Sequence, residues 1–271
     1  MRRIKANILL FFGGIAAFVC LNFSSEIMSR VVMYDKIFLN GEVRNLYGKL
    51  VGENWEVVKG LNFETLSMLD FSLIAHGNGF RNDTLENSRE GFILSKANGI
   101  TAFEIDIWTN DRGTHCSHEM RVNEPVCDLS VLFGGLEKND YIVVDIKNEF
   151  ENTLRDLVEN QDPNLLKQTI VQLYHPSDAV VFSKLSSHFH GAIFTLYLAN
   201  RRLDHICKSL SSSAFPAIVI NISKLNSAER ACPDHQFIVH PVKRCDVLLG
   251  LKANNNVNGA FVSGEALNCK D

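Results

Sequence analysis

The sequence predicts a (β/α)8 TIM barrel preceded by a hydrophobic N-terminal anchor or signal segment. Three observations carry that prediction. From Phe71 onward, short β-branched apolar runs alternate with amphipathic or polar stretches long enough for a helix, the pattern of repeated βα units. Eight such units can be counted. A chain of 271 residues suits a barrel of roughly 250 residues with a large core. Its 46% hydrophobic and 21% charged residues exclude disordered, collagen-like and coiled-coil classes.

Residues 1–25 read as a signal peptide or signal anchor. Arg2, Arg3 and Lys5 give a basic start, and no charge follows until Glu26. The uncharged stretch lies on the border between a secretory apolar core of about 7–15 residues and a spanning helix of about 17–25. Ile15-Ala-Ala17 is the nearest approach to a cleavage site and lies deep inside the apolar run, so the reading favours an uncleaved membrane anchor. Residues 26–68 form a helical lead-in that packs on the barrel or spaces it from the membrane. Residues 69–271 are the barrel, and nothing in them marks a second domain.

The expected strands are Phe71–Ala75, Ala102–Ile107, Tyr141–Ile146, Thr169–Leu173, Ala192–Leu196, Ala217–Ile222, Gln236–His240 and Gly259–Val262. Ile142-Val-Val144 and Ala217-Ile-Val-Ile220 are continuously apolar, as strands buried on both faces require. An N-terminal segment of this kind implies an extracytoplasmic location, periplasmic, luminal or secreted. Outside that segment stand Cys116, Cys127, Cys207, Cys232, Cys245 and Cys269, enough for up to three disulfides. Only Cys116–Cys127, the closest pair along the chain, is assigned from sequence. Asn82-Asp-Thr84 and Asn221-Ile-Ser223 are acceptor sequons. A net charge of −4 disfavours a nucleic-acid partner, and no protein partner is predicted.

Barrel chemistry sits at the C-terminal ends of the strands. The first strand ends in His76. The second carries Glu104 and Asp106, which point the same way because strand side chains alternate with a period of two. Asp145 and Lys147 stand in the same relation on the third, and His118-Glu119 lies between the second and third. The carboxylates interrupt apolar runs, where unpaired charge is costly. Their oxygens suit a hard divalent cation, Mg²⁺ or Ca²⁺, better than zinc. His76 and His118 are thereby left for proton transfer. His115 is expected to be structural, and Trp108 to be core or a wall beside the metal. His175, His190 and His240 take no role, although His240 ends the seventh strand where it could face the pocket.

Ile74-Ala-His-Gly77, Leu85-Glu-Asn-Ser-Arg-Glu-Gly-Phe92, Gly99-Ile-Thr-Ala-Phe-Glu-Ile-Asp-Ile107, Thr109-Asn-Asp-Arg-Gly113 and Ser117-His-Glu119 follow one another in order. Together they resemble the N-terminal signature of the glycerophosphodiester phosphodiesterase family, within the phosphatidylinositol-specific phospholipase C-like group. The resemblance continues through Val144-Asp-Ile-Lys147 and fades in the second half. It implies that Glu104, Asp106 and Asp145 hold the metal and that His76 and His118 are the acid–base pair. It also implies that Glu86 and Asn87 line the first loop and that Lys147 neutralises a phosphate oxygen. Asn87 is equally a favoured helix N-cap residue.

The chain departs from the family at several positions. Gly77 stands where an Arg commonly follows the first histidine, and Arg81 is either its replacement or a solvated loop charge. Glu119 replaces an Asp, Asp145 a Glu, and Ser263-Gly264 the closing Thr-Asp. The implied activity is metal-dependent hydrolysis or cyclisation of a glycerophosphodiester or a lysophospholipid-type headgroup. The alternative is a catalytically inactive barrel that binds an anionic ligand or a protein partner.

Overall fold

The computed structural model describes residues 55–61, 72–80, 84–118, 126–196, 203–210, 215 and 217–269. The hydrophobic segment 1–25, most of the lead-in 26–68, Arg81 and Glu119 lie outside the described residues. Among the described residues no helix is long and apolar enough to cross a membrane.

Eight parallel strands close into a barrel: β1 (Ser72–Ala75), β2 (Ala102–Asn110), β4 (Tyr141–Ile146), β5 (Thr169–Leu173), β6 (Gly191–Thr195), β7 (Ala217–Asn221), β8 (Gln236–Val242) and β9 (Val257–Val262). β1 pairs with both β2 and β9, which completes the ring. Helices alternate with the strands: α1 (Arg89–Ala97), α2 (Leu129–Leu132), α3 (Phe150–Asn160), α4 (Pro163–Leu166), α5 (Pro176–Leu185), α6 (Leu203–Ser209), α7 (Leu225–Ala231) and α8 (Cys245–Lys252). Each predicted strand is present, with ends shifted by up to three residues. A further strand that the sequence does not announce, β3 (Gly113–Cys116), runs antiparallel to β2 from Asn110↔Gly113 to Ile107↔Cys116. Its short polar composition carries no apolar run, and the pairing depends on the turn at Asp111-Arg112, where Gly113 adopts φ 121°.

Strand alternation divides the core into two. Phe103, Ile105 and Ile107, like Val144, Val171 and Phe194, face outward and pack with the helices. Ile74, Val143, Ile170, Ile193, Ile238 and Phe261 face inward and fill the barrel as an apolar plug. One step further along each strand the inward residue becomes polar, and these positions form the mouth. Trp55–Gly60, within the lead-in, is a 3-10 segment whose Trp55 and Val58 are buried in the outer core, with the Trp55 ring 5.5 Å from Phe194.

Three disulfides join Cys116–Cys127, Cys207–Cys232 and Cys245–Cys269, with Cα separations of 5.3, 5.4 and 5.4 Å. The first is the pair assigned from sequence. Such bonds persist in oxidising surroundings.

Candidate active site

The β2–β4 register pairs Asp106 with Asp145 and Glu104 with Val143, so both aspartates enter the mouth at one level and Glu104 lies one step below Asp106. All three are buried, and their ligand oxygens lie within 4.8 Å of one another. Lys147 reaches back from the end of β4, its Nζ 2.5 Å from Asp106 Oδ1 and 2.5 Å from Asp145 Oδ2. Gly77 N–H donates to Glu104 Oε2 at 2.5 Å. Three carboxylates therefore face one ammonium. Burial pushes the Glu104 carboxyl well above its ordinary range, and the charges of Asp106 and Asp145 add to the shift, while Lys147 and the Gly77 amide oppose it. A buried excess of negative charge on an oxygen-only donor set fits a hard divalent cation.

The loop after β1 shapes one side of the site. Gly77, Asn78 and Gly79 all adopt left-handed backbone, at φ 58°, 59° and 89°. A Cβ on Gly77 would stand 3.0 Å from Glu86 Cγ, so backbone and neighbour both favour glycine here, and Glu86 occupies the space beside it. Asn87, buried and also left-handed at φ 55°, grips Asp106 twice. Its Nδ2 donates to Asp106 Oδ2 at 3.1 Å, and its Oδ1 accepts from the Asp106 amide at 3.0 Å. The N-cap of α1 is Ser88, whose Oγ accepts from Gly91 N–H at 3.0 Å. Asn87 is thus an orienting residue for Asp106 and does not cap the helix.

His76 continues β1 into the mouth, its amide donating to Val262 O at 2.9 Å. Its Nε2 lies 3.2 Å from His240 Nε2, and both rings stand edge-on to Phe261 at 6.3 and 5.1 Å. His240 has no role assigned from sequence alone. Its parity on the seventh barrel strand was visible, but its contact with a residue 164 positions away requires closure of the barrel. His118 is exposed, two residues beyond Cys116, which pairs with Ile107 at the rim. His115 is buried, stacked on Trp108 at 4.3 Å and bonded to Asn110, a structural position as expected.

Fold and site together define a (β/α)8 barrel with a buried carboxylate cluster and imidazoles at its mouth. No family model matches the sequence, and no curated protein does. Solved structures match the fold. A glycerophosphodiester phosphodiesterase from Thermotoga maritima aligns with a TM-score of 0.55 and 9% identity, covering 76% of this chain and 97% of its own. One from Parabacteroides distasonis gives 0.54 and 14% identity over 71% and 92%. A third, from Agrobacterium tumefaciens, gives 0.51 and 12% over 74% and 100%. The barrel is therefore of the kind these phosphodiesterases share, which is the fold implied by the sequence resemblance.

Proposed function

We propose that this chain is a divergent glycerophosphodiester phosphodiesterase, a metal-dependent hydrolase or cyclase of small phosphodiesters or lysophospholipid-type headgroups. The observation that carries this reading is the buried Glu104–Asp106–Asp145 cluster beside Lys147 at the C-terminal mouth of the barrel. Glu104, Asp106 and Asp145 would hold Mg²⁺ or Ca²⁺. The bound cation supplies positive charge where phosphoryl oxygens gain negative charge.

The chain's own groups do the rest. Lys147, a quarter exposed and bridging the two aspartates, would neutralise a phosphate oxygen. His76 and His118 act as the acid–base pair, one taking the proton of the attacking hydroxyl and the other returning a proton to the leaving oxygen. His76 and His240 meet through their Nε2 atoms, so one must donate and the other accept, and only one proton lies between them. Glu86 and Asn87 order the first loop. The three disulfides support an extracytoplasmic location, with residues 1–25 as export signal or anchor.

Two substitutions separate the roles. Asp106→Asn is expected to abolish both turnover and the metal-induced rise in melting temperature while the chain stays folded. His76→Ala should keep the metal response and lose roughly 10²–10⁴ in rate. Full activity in His76→Ala would sink the acid–base assignment.

A further inference from the structure

The polar layer of the mouth extends beyond the carboxylates onto β5 and β6. The β4–β5 ladder pairs Val144 with Val171, so Gln172 lies one residue beyond that pair on β5, as Asp145 does on β4. Gln172 shares the inward parity of Ile170 in the barrel plug and is only 3% exposed. Its Oε1 accepts from Thr195 Oγ at 2.9 Å and, in a longer contact of 3.4 Å, from Tyr174 Oη. Thr195 on β6 is itself buried and inward-facing. Two hydroxyls therefore fix the carboxamide by its oxygen, and its nitrogen has no hydrogen-bond partner among the described residues. The amide nitrogen is thus the donor that this layer leaves for a ligand at the mouth.

We infer that Gln172 is a specificity-determining residue whose Nε2 donates to a hydroxyl oxygen on the alcohol part of a phosphate ester, with Thr195 and Tyr174 as the residues that position it. The inference rests on the phosphodiesterase reading and adds to it the recognition of a hydroxylated alcohol. The charges of the site are gathered on β2 and β4, where Lys147 and the carboxylates stand. The amide on β5 stands apart from those charges, which leaves its donor for an uncharged group such as a hydroxyl. A site that hydrogen-bonds a ligand hydroxyl also discriminates strongly against ligands that lack it.

The test uses the full chain with magnesium and calorimetric titration of two probes, glycerol 3-phosphate and inorganic phosphate. Gln172→Met, close in shape but without the donor, should weaken glycerol 3-phosphate roughly tenfold and leave phosphate within about twofold. Thr195→Val should move glycerol 3-phosphate in the same direction by a smaller factor, and Thr195→Ser should restore it. Because the two positions are substituted independently, misfolding of one variant does not remove the test. Equal weakening of both probes would assign the amide to the phosphate and overturn the inference, as would no change in either. A wild-type chain that binds neither probe would instead overturn the phosphodiesterase reading itself.

Discussion

Glu104 shows how the site trades stability for function at the level of one residue. Its folded-state pKa is raised, so the folded chain binds this proton more tightly than the unfolded chain does. The stabilisation from that proton is present at low pH and is lost as pH rises from the ordinary value of 4.5 through the raised one. The metal-free protein should therefore become less stable as pH rises through that window. Asp178, also raised by burial, contributes with the same sign, so the informative comparison is Glu104→Gln against wild type. The glutamine keeps an acceptor for Gly77 N–H and removes the charge. It is expected to flatten the pH dependence and to raise the metal-free melting temperature at neutral pH by roughly 2–4 °C for each kcal/mol relieved, while the response to added Mg²⁺ disappears. Thermal melts across pH, with and without metal, check both parts. Glu104, Asp106 and Asp145 were legible in the sequence because each interrupts an apolar strand at inward parity. Gln172 and Thr195 carry the same signal, a lone polar residue in Val171-Gln-Leu173 and Ile193-Phe-Thr195, but more weakly, because a neutral side chain is less costly to bury. Gly77 was legible only as a departure, and its reason, the left-handed backbone under Glu86, required the loop.

At the scale of elements, the ends of β2 and β4 are held together beyond their ladder. Lys147 N–H donates to Ile107 O at 2.8 Å, the last bond before the strands part. Asn148 then replaces a strand with its side chain, accepting from Thr109 N–H at 2.9 Å and donating to Thr109 O at 2.8 Å. This clamp sits next to Lys147 and three residues from Asp145, so it fixes the spacing on which the carboxylate cluster depends. Asn148→Ala should cost about 1–3 kcal/mol by leaving both Thr109 groups without these partners, and it should weaken the metal-induced thermal shift, both measurable by denaturant titration with and without Mg²⁺. The strands were legible from runs of branched apolar residues buried on both faces. β3 was not, since a four-residue Gly-Thr-His-Cys strand has neither length nor alternation to announce it, and its existence depends on pairing with the overhang of β2. That hairpin matters to the site, because it returns the chain toward the rim just before His118.

At the scale of the molecule, the barrel combines an apolar plug, a polar mouth and three covalent ties between helices, strands and the chain's end. Cys207–Cys232 joins α6 to the residue that follows α7, and Cys245–Cys269 joins the start of α8 to the residue after the 3-10 turn Gly264–Asn268. Neither includes a residue of the carboxylate cluster. The paired substitution Cys207→Ser with Cys232→Ser should lower stability by about 2–4 kcal/mol, seen in a denaturant titration, and leave Mg²⁺ affinity unchanged. The fold class was legible because it depends on the order and number of runs. The pairing of the last four cysteines was not, because six cysteines allow fifteen connectivities and proximity along the chain selects only one pair. Metal-dependent phosphodiester chemistry at the mouth is tested directly by ³¹P NMR of glycerophosphocholine and lysophosphatidylcholine with the chain in Mg²⁺, Ca²⁺ or EDTA. Loss of the diester signal in the presence of metal, abolished by EDTA and by Asp106→Asn, is the expected result, with the product shift separating a cyclic phosphate from a monoester. A diester signal that persists under every metal, with no metal-dependent rise in melting temperature, would contradict the account.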